Sequence, residues 1–301
     1  MSLRVSATLL AVGALLAAAP FPSSAGQRPP NVIIIVVDTL RADRVGGVYG
    51  QMRALTPFLD ELARRGTRFE RAYAPSSWTC PSVASLLTSR YPSQHGVNTF
   101  DAVLPETEVT LPESLWPLHY HAAGFTANFR LTADHGYAQG FSFWDAMFPD
   151  LAAHDKVRGD RMRADLASWL TVNQRDGRDI PLFLYLQLLE PHAPYEPPEP
   201  FRGRLALPGT THEIADRLNA QVTGGGSGTK GLRPRDFPIL THLYDGEVAA
   251  VDDQIRQLME LLDSDGVLRD AVIVVTGDHG EEFGEHGEVL HGRTLYDEAT
   301  R

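Results

Sequence analysis

The chain has a single cysteine, Cys80, in 301 residues, so no disulfide can form within it. It is also short of cations. Lys and Arg number 27 against 38 Asp and Glu, a formal charge of -11, which excludes nucleic acid as a partner because phosphate backbones demand clustered basic side chains. A small anionic substrate is not excluded, provided that local cations, a metal or helix N-termini receive it. Internal repeats are absent, and 43% hydrophobic with 22% charged residues excludes wholesale disorder. Beyond the N-terminus no apolar run is long enough to cross a bilayer.

The N-terminus itself predicts a secretory signal over residues 1–25. Arg4 supplies a positive start, residues 5–20 are nearly all apolar or small, and Ser23-Ser24-Ala25 offers a cleavage site. Residues 26–301 then form one domain, exported to a periplasm or secreted, with no stable membrane span after cleavage.

Three apolar runs predict strands of a parallel sheet. N-V-I-I-I-V-V over 31–37 is unalternating and β-branched, as suits a strand buried on both faces. Residues 182–189 and 271–275 repeat the pattern. Each run delivers polar residues at its carboxyl end: Asp38, then Glu190-Pro191-His192, then Asp278-His279-Gly280. Open α/β sheets place their sites there. Helices are expected over 57–65, closing on Gly66, and 112–123, closing on Gly124. A third, over 244–262, carries one apolar stripe and a solvated face with Asp252, Asp253 and Glu260. The glycines of 224–228 mark a surface loop.

The chemistry gathers at few positions. Thr79 stands at the start of a helix, with Pro81 in its first turn, so its hydroxyl faces unpaired N–H groups and the positive end of the dipole. Asp38, Asp278 and His279 make a hard-to-borderline ligand set for one divalent ion (Mn, Ca, Mg or Zn).

Four ordered segments carry a resemblance: N-V-I-I-I-V-V-D-T-L-R-A-D, T-C-P-S-V-A-S-L-L-T-S-R-Y-P-S-Q-H-G, E-P-H-A-P-Y-E-P-P and V-V-T-G-D-H-G-E-E-F-G-E-H-G. Together they resemble the sulfatase family of the alkaline-phosphatase superfamily, across residues 31–301. The resemblance implies a three-layer α/β sandwich, a mostly parallel doubly wound sheet with helices on both faces. It also implies that the chain stops before the family's C-terminal subdomain.

Sulfatases carry C-x-P-S-R, whose cysteine becomes formylglycine. Aligned on Pro81 and Ser82, the motif puts Thr79 at the nucleophile position, Cys80 at the variable one and Val83 where Arg belongs. Thr39 replaces a second Asp, the G-K-W-H stretch becomes F-T-A-N-F-R-L-T, and His291 stands about where a second substrate Lys sits. The pattern resembles family members with a Thr nucleophile. It implies a hydrolase of small anionic esters with a covalent Thr79 intermediate. Asp38, Thr79, Asp278 and His279 then hold one metal, and His192 and His291 contact the transferred group or protonate the leaving oxygen. Phosphoesters or phosphonate esters are favoured over sulfate, because a threonine sulfate cannot be released by the elimination open to a hydrated aldehyde. The alternatives are a formylglycine sulfatase using Cys80, an envelope phospho-alcohol transferase and a non-catalytic binding relative. Arg41 and Arg130 are candidates for meeting a substrate anion, while His286 and Glu281 read as surface residues.

Overall fold

The computed structural model describes residues 28–46, 54–147, 156–173, 180–224, 229 and 231–301. The expected signal over 1–25 and most of the glycine loop lie outside the described residues.

Five parallel strands form the sheet: β1 Asn31–Val37, β2 His121–Thr126, β3 Phe143–Ala146, β4 Leu182–Leu188 and β5 Ala271–Gly277, in the order β3-β2-β4-β1-β5. β1 is paired with β4 from Val32 opposite Phe183 to Val37 opposite Leu188, and with β5 from Asn31 opposite Ala271 to Val37 opposite Gly277. The register is unbroken, so Asp38 and Asp278 leave the sheet side by side. A separate hairpin of β6 Glu282–Phe283 and β7 Val289–Leu290 comes after the sheet.

Nine α-helices are described: α1 Pro57–Arg65, α2 Thr79–Thr88, α3 Pro92–His95, α4 Leu111–Leu115, α5 Gly159–Asn173, α6 Phe201–Leu205, α7 His212–Thr223, α8 Asp236–Ser264 and α9 Asp297–Thr300. Both faces of the central strands are covered; β5 stands at the edge with Val272 and Val274 exposed on one face, so its apolar run is not buried on both faces as expected. Ile33, Ile35 and Val37 pack with Leu59 of α1, Leu166 of α5, Leu218 of α7 and Val248 of α8. Ile34 and Val36, pointing the other way as the two-residue strand period requires, pack with Val83 and Leu87 of α2. This is the expected three-layer α/β sandwich.

The structure corrects the helix expected over 112–123. It ends at Leu115, a 3-10 turn covers Trp116–Leu118, and the chain enters β2 at His121. Pro117 offers no N–H to continue the ladder, and His119 takes a left-handed φ of 60°. Gly124 is therefore a strand residue, present because a Cβ would come 2.3 Å from Cε3 of Trp144. The helix expected over 244–262 extends back to Asp236, its stripe continuing through buried Leu240 and Leu243.

Asp252 is not on a solvated face. It is buried, and its two carboxylate oxygens accept the N–H groups of Phe58 (3.0 Å) and Leu59 (2.9 Å). A side chain of α8 thus satisfies the otherwise unpaired first turn of α1.

Candidate active site

β1 and β5 end together, and the turns beyond them are tied to one another. The carboxylate of Asp278 accepts the backbone N–H of Thr39 at 3.2 Å and that of His279 at 2.9 Å. Thr39 has a φ of 58°, a turn that sends the chain away just past Asp38. Donor atoms of Asp38, Asp278 and His279 all lie within 4.8 Å of one another, and all three residues are buried. Nε2 of His279 is 3.5 Å from Oδ1 of Asp38 and 3.6 Å from Oδ2 of Asp278. Nδ1 of His279 donates to the carbonyl of Gly280 at 2.9 Å, which leaves the Nε2 lone pair facing the carboxylates.

Thr79 joins this group from the opposite layer. Trp78 is extended, Thr79 is the first residue of α2, and its Oγ1 lies 3.2 Å from Nε2 of His279. The sequence-predicted set Asp38, Thr79, Asp278 and His279 is thus assembled in one place. Burial and the neighbouring Asp278 push Asp38 well above the usual carboxylate range, and burial holds His279 below the usual imidazole value.

The cluster fits a divalent cation. Oδ1 of Asp38 and Oγ1 of Thr39 are buried without a hydrogen-bond partner. Two carboxylates at this depth leave charge that only a cation or a proton relieves. Two carboxylates and a neutral imidazole suit a borderline divalent ion.

His291 and His192 stand beside it. The ring of His291 is centred 4.5 Å from that of His279 and 5.0 Å from that of His192. Nδ1 of His291 meets Oε1 of Glu281 at 2.7 Å, and Tyr195 donates its hydroxyl to the other oxygen at 2.9 Å. Nδ1 of His192 donates to the carbonyl of Ala193 at 2.6 Å. Burial keeps both rings neutral, His192 held down at about 3 and His291 at about 4.

Other expectations change. Glu281 is no surface residue; it is fully buried, orients His291, and burial raises its pKa. Arg41 is buried and bound to Asp43 (2.8 Å) and Glu285 (2.6 Å), so it meets no substrate anion. His286 is partly exposed and paired with Glu298 at 3.1 Å. Cys80 packs into the apolar cluster with Ile34, Val36 and Leu131, and burial raises its thiol pKa, which keeps it un-ionised.

Two site residues were missed in the sequence. Asn128 donates Nδ2 to Asp38 Oδ2 at 2.6 Å and to Thr79 Oγ1 at 3.4 Å. Gln187, fully buried on β4, reaches Asp278 Oδ2 at 3.5 Å. The signal for Gln187 was present: an amide inside an otherwise apolar strand has to be aimed at a polar partner.

An open parallel α/β sheet with a strand-end carboxylate and imidazole cluster facing a helix-start hydroxyl defines an alkaline-phosphatase-like site. Residues 30–301 match the sulfatase family model, and the chain belongs to the sulfatase family. It is 22% identical over 302 residues to the ulvan-active sulfatase of Formosa agariphila, covering 90% of this chain and 55% of that protein. Over 113 residues it is 41% identical to arylsulfatase A of Homo sapiens, covering 36% of this chain and 20% of the relative. The phosphonate monoester hydrolase of Agrobacterium radiobacter shares the fold, with a TM-score of 0.70 at 22% identity over 90% of this chain and 66% of that one. The chain spans little more than half the length of the ulvan-active sulfatase.

Proposed function

We propose that the protein is a metal-dependent hydrolase of sulfate- or phosphate-type esters that works through a covalent Thr79 intermediate. The observation that carries this reading is Oγ1 of Thr79 at 3.2 Å from His279, beside the buried Asp38 and Asp278. Asp38, Asp278 and His279 would hold the divalent ion, with Thr79 as a further ligand; when bound it supplies Lewis-acid polarisation and favours the Thr79 alkoxide.

Thr79 gives up its proton to solvent and attacks phosphorus or sulfur in line. The ester bond opposite breaks, and the leaving oxygen takes up a proton delivered from solvent through His291 or His192. Glu281 accepts from Nδ1 of His291 and steadies the ring whenever Nε2 carries a proton. His192 presents its Nε2 from the same side, since its Nδ1 is bound to Ala193. Water then displaces Thr79 from the transferred group. Asn128 keeps Thr79 and Asp38 in register.

Phosphoesters and phosphonate esters remain favoured over sulfate, because release from threonine needs outright hydrolysis. Export is part of the same reading; among the described residues no helix is long and apolar enough to cross a membrane. The test is a panel of nitrophenyl sulfate, phosphate, phosphodiester and phosphonate esters with Mn, Zn, Ca and Mg. Turnover of at least one ester that needs both metal and Thr79 is expected. Activity that survives Thr79→Ala on every ester refutes the covalent route.

A further inference from the structure

The two arginines near the site have different fates. Arg41 is neutralised by Asp43 and Glu285. Arg130 meets no carboxylate within ion-pair distance among the described residues. Its guanidinium carbon lies 4.8 Å from the ring centre of Phe100 and 4.9 Å from that of Phe129, so the cation lies over two phenyl rings.

This cluster adjoins the nucleophile. The backbone N–H of Arg130 donates to Oδ1 of Asn128 at 2.9 Å, while Nδ2 of the same amide reaches Asp38 and Thr79. Trp78, directly before Thr79, lies 4.9 Å from Phe100 between ring centres. Gly292, next to His291, donates its N–H to the carbonyl of Ser77 at 2.8 Å, and a Cβ there would stand 3.6 Å from Cβ of Trp78. A continuous wall therefore runs from Gly292 through Trp78, Phe100, Arg130 and Phe129 to Asn128. Phe100 is 60% exposed and Phe129 40%, so both rings are open to a ligand from solvent.

We infer that this wall is the leaving-group subsite, and that it takes a ring carrying a second anionic group. The ring stacks on the aromatic faces, and the anion pairs with Arg130. The carboxyl groups nearest the nucleophile, on Asp38, Asp278 and Glu281, offer an anion nothing. A guanidinium in contact with rings and without a carboxylate partner keeps N–H groups for a carboxylate, sulfate or phosphate. The inference rests on the ester-hydrolase reading, and its test separates the two.

Two matched esters decide it, 4-nitrophenyl phosphate and its 3-carboxy derivative, assayed with the metal-loaded full chain. The wild type should favour the carboxylated ester in kcat/KM by about 10-fold, the scale of one charge-assisted hydrogen bond. Arg130→Gln should bring the ratio to within about 2-fold of unity, and Arg130→Lys should restore part of it. Binding of the leaving alcohols alone, 4-nitrophenol and 5-hydroxy-2-nitrobenzoate, is measured in parallel by calorimetry and should show the same preference without turnover. Phe100→Ala should weaken both alcohols several-fold and leave their ratio unchanged. The inference is overturned if the wild type shows no preference in binding, or if Arg130→Gln weakens both alcohols equally. If no ester turns over but the binding preference follows Arg130, the hydrolase reading fails and the subsite stands.

Discussion

The hydroxyl of Thr79 lies 3.2 Å from Nε2 of His279, across 200 residues of sequence. Cys80, one residue on, turns into the apolar layer instead. Thr79→Ala should lose at least ~10³-fold in turnover. Cys80→Ser should keep most of it, at a packing cost of about 1–2 kcal/mol for a hydroxyl among apolar neighbours. Intact mass should show Cys80 unmodified. A Cys80 peptide ~18 Da light, with Cys80→Ser inactive and Thr79→Ala active, would establish a formylglycine sulfatase instead.

Asp278 supplies one of the three clustered donors and also anchors the turn at Thr39. Asp278→Ala should lose metal and activity together. Asn128→Ala removes the support to Asp38 and Thr79 but none of the three clustered donors, and should lower metal affinity by about 10- to 100-fold. Elemental analysis after dialysis distinguishes these outcomes, and a stoichiometric metal content in Asp278→Ala contradicts the ligand assignment.

Lys156 is nearly fully buried and lies 3.2 Å from Oε1 of the fully buried Glu247. It also donates to the carbonyl of His192 at 2.7 Å. Lys156→Met leaves Glu247 with the N–H of Glu196 and, as its cation, the more distant Arg158, 3.7 Å from its other oxygen. Stability should fall by about 3 kcal/mol, the low end for a broken buried pair. Lys156→Met combined with Glu247→Leu should recover a large part of that loss in urea denaturation; no recovery would mean that the pair is not what the single variant removed.

Asp252 gives a pH dependence away from the site. Burial, opposed by the N–H groups of Phe58 and Leu59, pushes its carboxyl up to about 6 from 3.8. The folded state therefore holds this proton more tightly than the unfolded chain. Its contribution to stability is complete below pH 3.8 and is lost as pH rises through about 6. Wild type measured against Asp252→Asn should lose on the order of 2 kcal/mol of relative stability between about pH 4 and pH 7. A difference that stays flat across that range contradicts the shift.

The strands that build the site were legible because each is an unbroken β-branched or apolar run ending in a polar residue. β1 and the start of β5 lie where those runs predict, and Asp38, Asp278 and His279 come directly after. β2 was not legible: H-A-A-G-F-T is rich in Ala and continues an apolar helical pattern. Only the close approach of Trp144 explains its glycine. Asp252 and Glu281 misled because an acidic residue on a helix or after a turn is ordinarily solvated. Their partners, two backbone N–H groups of α1 and the pair His291 and Tyr195, are brought by the tertiary fold. Arg41 misled partly for the same reason: Asp43 is a local partner, but Glu285 lies 244 residues away.

The parallel topology has a kinetic consequence. Asp38, Thr79, Asn128, Gln187 and Asp278 come from five separated segments, and no two neighbouring strands of the sheet are joined by a hairpin. No local collapse can bring even three of them together, and contacts of such sequence separation form slowly. Competence to bind the ion should therefore be acquired last in refolding, after far-UV circular dichroism has regained its native value. Metal uptake would serve as a clock for completion of the whole sheet rather than for its first turns.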